Sequence, residues 1–284
     1  MKISEIKKDF FGKLDLFDLD LLISRAIKKP REFVLAHPEC EIPEFKIKNL
    51  KLKISRRRRG EPLAYILGRR EFFGLDFKVN KNTLIPRPET ELFVEEVLKL
   101  NPKNKTIVDI GTGSGNIIAS LAKNIREKNN FYGIDISEKA LRVAKENAKN
   151  YKLEKKIKFM RGNLLDPIIQ NSKLKIKNSE IIILANLPYL SKEIYNAAPK
   201  DVKNYEPKSA LYSPGKGLAH YENLLKQIRK LQTANQKSKI IFFEISPEQK
   251  KIIQPLIKKY LPNAKIEFQK DLAGKWRACK IISQ

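Results

Sequence analysis

Thr106-Ile107-Val108-Asp109-Ile110-Gly111-Thr112-Gly113-Ser114-Gly115 joins an apolar run to three alternating glycines. The run reads as a buried strand, and the glycines as a sharp turn into a helix over 116–125. The same grammar recurs downstream. Strands are expected at 131–135, 157–160, 181–185 and 240–244, with helices over 138–151 and 218–231 between them. A helix over 247–260 and two further strands, 265–268 and 278–282, complete the pattern. Continuous apolar strands alternating with helices predict an α/β fold whose sheet is mostly parallel and covered on both faces.

Toward the N-terminus the period changes. From Phe10 to Arg59 apolar residues recur at three and four, as at Leu14, Phe17, Leu21 and Leu22, with interruptions at Pro30, Pro38 and Pro43. Three or four short helices are expected there. Glu71 to Ile85 instead places aromatic and alternating residues around Gly74 and Asp76, the pattern of a β-hairpin. Pro86-Arg87-Pro88 follows, and each proline fixes φ at the approach to the next helix. The expected organisation is a small N-terminal helical domain over 1–70, a linking β-hairpin over 71–90, and an α/β domain over 91–284.

The 284 residues carry a formal charge of +26, from 44 Lys and 14 Arg against 32 acidic residues. Such a balance attracts nucleic acid or an acidic protein. The lysines are spread along the whole length, however, as on a solvated surface, and only Arg56-Arg57-Arg58-Arg59 is dense. Direct nucleic-acid binding is therefore not expected. Two cysteines, Cys40 and Cys279, and two histidines, His37 and His220, assemble no zinc site, thiol nucleophile or disulfide framework. The opening Met1-Lys2-Ile3-Ser4-Glu5 lacks a signal peptide's apolar core, and no stretch approaches a membrane span. A cytoplasmic monomer with no metal is expected.

In a doubly wound sheet the ligand lies beyond the carboxyl ends of the strands, where strand order reverses. Gly111, Thr112, Gly113 and Gly115 stand there, and small residues let backbone approach a ligand. The dinucleotide spacing G-x-G-x-x-G fails, since Asn116 and Ile117 follow Gly115. That favours S-adenosylmethionine over NAD. Asp135, ending the second strand, can accept both hydrogens of a ribose diol, while Ser137 is the better N-cap for the next helix. Asn163, after the third strand, is placed to pair with the adenine amino group. Asp109 either orients the loop or serves as a structural acceptor.

A second motif, Asn186-Leu187-Pro188-Tyr189, closes the apolar run 181–185. A glycine loop after one strand and Asn-x-Pro-Tyr after a later one resemble the amino-methyltransferases that use S-adenosylmethionine. Those enzymes act on a planar NH2, whose nitrogen lone pair is delocalised. Its useful partners are uncharged acceptors: the Asn186 side-chain oxygen and a main-chain carbonyl of Leu187 or Pro188. Asn186 also borders the cofactor region. Pro188 stiffens the turn, and Tyr189 offers a flat face for stacking. No general base is required, because a methylated amide nitrogen loses its proton to water.

Nearly the whole chain is similar to the release-factor glutamine methyltransferases, the PrmC/HemK family. The matching segments are Gly60-Glu61-Pro62-Leu63-Ala64-Tyr65-Ile66-Leu67-Gly68, Glu71-Phe72-Phe73-Gly74, Ile85-Pro86-Arg87-Pro88-Glu89-Thr90-Glu91, Tyr205-Glu206-Pro207 and Asp271-Leu272-Ala273-Gly274. The resemblance implies a Rossmann-like class I S-adenosylmethionine-dependent methyltransferase. Its reaction would be N5-methylation of the glutamine in the Gly-Gly-Gln loop of class 1 peptide chain release factors, in support of translation termination. It further implies that the helical domain grips the factor, and that Arg87 and Glu89 of the signature belong to the substrate site. Two positions depart from the family, Leu187 where Pro is usual and Ser246 where Gly is frequent. Glutamine methylation of a ribosomal protein is the alternative, with the same mechanism. Asn-Leu-Pro-Tyr also resembles the rRNA adenine dimethyltransferases, but their glycine loop lies near the N-terminus and their helical domain follows the sheet. A non-enzymatic basic RNA-binding module would leave Asn186, Pro188 and Tyr189 idle.

Overall fold

The computed structural model describes residues 1–171, 180–232 and 239–283. They divide into two units, Met1–Arg69 with Pro199–Tyr205, and Arg70–Ala198 with Glu206–Gln284.

The first unit is helical, with α1 (Ile3–Phe10), α2 (Leu16–Ile27), α3 (Arg31–Ala36), α4 (Glu44–Arg58) and α5 (Leu63–Leu67). Ile6, Leu22, Ile23, Val34 and Ile54 fill its core. Asp15 caps α2, its carboxylate accepting the N–H groups of Phe17 and Asp18 at 2.9 and 3.1 Å. Pro30 and Pro43 sit at the N-caps of α3 and α4, where a missing N–H leaves no gap in the helix. The basic block has a structural job: Arg56 pairs with Glu61, and Arg57 with Asp18, each at 2.5 Å. Half of that block is thus committed to holding the end of α4.

A hairpin of β1 (Arg69–Phe72) and β2 (Leu75–Lys78) belongs to the second unit from Arg70 onward. Phe73 and Gly74 make its turn, with φ of 51° and 68°, the left-handed pair that suits a two-residue hairpin. There follow α6 (Glu91–Lys99), β3 (Thr106–Ile110), α7 (Asn116–Asn124), β4 (Asn130–Asp135), α8 (Glu138–Asn150) and β5 (Ile157–Arg161). The chain continues through α9 (Asp166–Ile169), β6 (Ile181–Ala185), α10 (Lys192–Ala197), α11 (Lys200–Tyr205, in the first unit) and α12 (Ala219–Gln232). It ends with β7 (Lys239–Glu244), α13 (Lys250–Tyr260), β8 (Lys265–Lys270) and β9 (Trp276–Ser283). The stretch 71–90, expected as a linker, therefore packs as part of this unit: Phe72 and Phe77 are buried in one core with Phe93 of α6 and Leu121 of α7.

The seven-stranded sheet runs β5-β4-β3-β6-β7-β9-β8. The first five strands are parallel, and β9 is antiparallel to both β7 and β8. The reversal has a local cause. Asp271 to Lys275 forms a tight turn in which the Asp271 N–H donates to the Lys275 carbonyl at 2.8 Å, and so short a connection permits only antiparallel pairing. Alternate strand residues face opposite layers. Ile107, Ile182 and Phe242 pack with α6 and α7, whereas Val108, Ile183 and Phe243 pack with α12 and α13. Strand order reverses between β3 and β6, so a crevice opens beyond Ile110 and Ala185.

Candidate active site

At the end of β3, Gly111, Gly113 and Gly115 all have positive φ, 69°, 55° and 77°. Two of these positions are also crowded. A Cβ on Gly111 would lie 3.2 Å from Leu187 Cδ2, and one on Gly115 would lie 3.1 Å from the Ala144 Cβ. The loop is pinned at several points. Gly111 and Thr112 donate their N–H groups to the Ile134 carbonyl at 2.8 and 2.9 Å. The Thr112 hydroxyl donates to Asp109 Oδ2 at 2.6 Å, and the Gly113 N–H to Asp135 Oδ2 at 2.9 Å. Asn147 of α8 donates to the carbonyls of Ser114 and Lys78 at 2.8 and 3.0 Å, joining the loop to the hairpin.

A cavity of about 320 Å³ opens over this loop, within the usual range for ligand sites of about 300–1,000 Å³. Gly111, Thr112, Gly113, Asp135, Asn163, Asn186, Leu187, Pro188 and Arg87 all line it. These nine expected residues come from β3, β4, β5, β6 and the stretch before α6, and the fold brings them to one cleft.

Four other expectations meet a different geometry, the first being Gly115, which packs against Ala144 of α8 and is not part of the lining. Asp109 is fully buried beneath the loop and is not part of the lining. Burial, with the neighbouring Asp135 charge adding to it, pushes its carboxyl up to about 7, so its role is to hold Thr112. Tyr189 also lies outside the lining: its ring packs against the core beside α12 and α13, and its hydroxyl donates to Glu244 Oε1 at 3.1 Å. A ring so engaged offers no stacking face to the cavity. Glu89 is exposed and away from the lining, as the middle residue of a 3-10 turn, Pro88–Thr90.

The lining suits an adenosine-bearing ligand. Asp135 Oδ1 accepts the Ser137 N–H at 2.8 Å while Oδ2 holds Gly113, and each oxygen retains a lone pair for a diol. Burial raises the Asp135 pKa, and the two backbone donors oppose that rise. Ile136 and Leu164 supply apolar surface, and Ile136 is 67% exposed beside the cavity. His220, burial holding its pKa below the usual value, adds an uncharged imidazole. No group of three His, Cys, Asp or Glu among the described residues is arranged for a metal.

The register of β3 with β6 pairs Ile110 with Ala185, so Gly111 and Asn186 emerge side by side at the top of adjacent strands. Behind Asn186 lies a buried polar cluster that inspection of the sequence missed. Asn186 Nδ2 donates to Thr90 Oγ1 at 3.1 Å, and the Thr90 hydroxyl donates to Glu244 Oε2 at 2.5 Å. Glu206 similarly holds the signature segment, accepting the Ile85 N–H at 3.0 Å and pairing with Arg87. A signal for Glu244 existed: like Asp135, it is a lone acid ending an apolar strand. Ser246 has an ordinary extended backbone, φ −75°, so glycine is not required there. Its N–H donates to Gln249 Oε1 at 3.1 Å, and Gln249 Nε2 in turn holds the Tyr189 carbonyl at 2.9 Å.

Comparison with known proteins agrees with this geometry. A model described as a methyltransferase domain matches residues 101–264, and one described as the PrmC N-terminal domain matches 14–68. A release factor glutamine methyltransferase of Enterococcus faecalis is 39% identical over 84% of this chain and 82% of its own. One of Clostridium botulinum is 34% identical over 97% and 94%. The chain belongs to the release factor glutamine methyltransferase family. Among solved structures, the hMettl16 catalytic domain in complex with a MAT2A 3'UTR hairpin has a TM-score of 0.56, covering 94% of this chain and 91% of that one at 15% identity. That likeness is one of fold, the Rossmann-like methyltransferase sheet. Leu187, the family member's departure from Pro, is buried with its side chain against Gly111 and keeps the carbonyl that the turn requires.

Proposed function

We propose that this chain methylates the side-chain amide nitrogen of the glutamine in the Gly-Gly-Gln loop of a class 1 peptide chain release factor. S-adenosylmethionine would be the donor. The observation that supports this reading is the adjacency of Gly111 and Asn186, which lets the glycine loop and the Asn-Leu-Pro-Tyr turn border one cavity. Asp135 and Asn163 would hold the ribose and adenine, with Ile136 and Leu164 against the ring. When bound, the cofactor supplies an electrophilic sulfonium methyl group.

The protein's part is positioning. The Asn186 oxygen and the carbonyl of Leu187 or Pro188 accept the two N–H hydrogens of the substrate amide, turning its nitrogen lone pair toward the methyl carbon. Transfer would form the N–C bond as the donor's S–C bond breaks, and the excess proton would leave the nitrogen to water. Acceptors fixed before reaction stabilise developing positive charge on that nitrogen at no reorganisation cost. The helical unit would grip the factor outside its Gly-Gly-Gln loop. No helix among the described residues is long and apolar enough to cross a membrane, which fits a cytoplasmic protein acting on the translation machinery.

The test is incubation of the purified chain with labelled S-adenosylmethionine and, separately, release factor, ribosomal protein and rRNA. Label is expected on the release factor, and mass spectrometry should locate it at the glutamine. Label on ribosomal protein or rRNA alone would overturn the reading.

A further inference from the structure

The cluster behind Asn186 has a definite hydrogen arithmetic. Glu244 ends β7 with its carboxylate buried, Oε2 facing the Thr90 hydroxyl at 2.5 Å and Oε1 facing the Tyr189 hydroxyl at 3.1 Å. An ionised carboxylate only accepts, so both hydroxyl hydrogens must point at it. Thr90 has then spent its single hydrogen. Toward Asn186 its oxygen can only accept, and the group it meets at 3.1 Å must be the Asn186 NH2. The amide is thereby turned with Oδ1 away from Thr90. Tyr221 does not disturb this count, since its hydroxyl donates to the Glu244 main-chain carbonyl.

We propose that Thr90 and Glu244 are positioning residues that make Asn186 present its carbonyl oxygen, rather than its NH2, to the acceptor amide. The inference rests on the function proposed above. Free rotation of the Asn186 amide would place a donor where the substrate's own NH2 needs an acceptor, and half of the enzyme's orientations would repel the substrate group. Thr90 borders the cavity but is buried at 2% exposure, and its hydroxyl is taken up between Glu244 and Asn186, so it acts through Asn186. The charged and titratable groups around the Glu244 carboxylate are Tyr189, Tyr221, Arg277 and Glu89. Burial raises its pKa, while the Thr90 and Tyr189 hydroxyls and then Arg277 oppose that rise.

The experiment compares wild type, Thr90→Val, Thr90→Ser and Glu244→Gln in methyl transfer to a purified release factor, with cofactor affinity and Tm measured on each. Valine keeps the shape and loses the hydroxyl, so kcat should fall about 10- to 100-fold, the size expected of a small misplacement of the acceptor. Cofactor Kd should stay within about threefold of wild type. Serine restores the hydroxyl and should recover kcat to within about threefold, a rescue that a purely packing role would not give. Glu244→Gln, whose amide can donate to Thr90 and free its hydrogen, should resemble valine. Wild-type kcat in Thr90→Val, or serine failing as badly as valine, would overturn the inference while leaving the proposed function intact. A wild-type enzyme that never labels the release factor would remove both, and so separates the two failures.

Discussion

Asp135 reaches from the end of β4 to the glycine loop, where its Oδ2 accepts the Gly113 N–H at 2.9 Å. The same carboxylate lines the cavity and caps the start of the next segment through the Ser137 N–H. One group therefore fixes the loop and faces the cavity. Asp135→Ala should weaken cofactor binding about 10- to 100-fold, corresponding to loss of a charged hydrogen bond of about 1.5–3 kcal/mol. Titration calorimetry with S-adenosylmethionine checks this, and an unaltered affinity would remove Asp135 from the site.

Asn186 stands on the opposite side of the same cavity. Asn186→Ala takes away the side-chain acceptor while sparing the glycine loop. Methyl transfer should drop by about 100-fold or more, with cofactor affinity nearly unchanged. Turnover at the wild-type level would refute the role given to that oxygen.

Asp109 makes a prediction about pH. Its folded carboxyl sits at about 7 against an ordinary 3.8, through burial first and Asp135 second. A group with a raised folded value costs stability while ionised in the fold. The penalty is full above about pH 7, shrinks as pH falls through 7, and is gone below the unfolded value. Asp109→Asn removes the ionisation and keeps an acceptor for Thr112. The Tm of this variant relative to wild type, without cofactor, should therefore be more favourable at about pH 8 than at about pH 5. A difference that stays constant across that range would show that Asp109 does not titrate there.

Gly217 is the position most sensitive to a single added carbon. It has φ 83°, and a Cβ there would lie 2.0 Å from the Tyr189 carbonyl oxygen and 2.5 Å from Gln249 Nε2. Backbone must shift to admit it. Gly217→Ala should cost about 2 kcal/mol or more, from combined strain and overpacking, seen as a Tm lower by several degrees. Activity should suffer as well, because the displaced carbonyl belongs to the turn that carries Asn186. Unchanged Tm and turnover would contradict the packing described.

The strands of the sheet were readable because a run such as Ile181 to Ala185 is apolar at every position, and only a strand covered on both faces accommodates that. The glycine loop, Asp135 and Asn186 were readable for a related reason: each ends such a strand. Glu244 left the same signal, but its partnership with Thr90 left none. They touch across 154 positions of chain, and a hydrogen bond of that span leaves no local period. Tyr189 was misjudged because its aromatic face suggested stacking, while its hydroxyl, tied to a buried acid, decides where the ring goes. The antiparallel insertion of β9 between β7 and β8 depends on how Asp271 to Lys275 turns, and alternation of strands and helices says nothing about that.

Ile110 opposite Ala185 works as a ruler. The gap between donor and acceptor cradles equals one rung, about 4.8 Å, and belongs to the ladder rather than to any loop. A slip of one residue along β6 would swing Asn186 to the wrong side of the sheet.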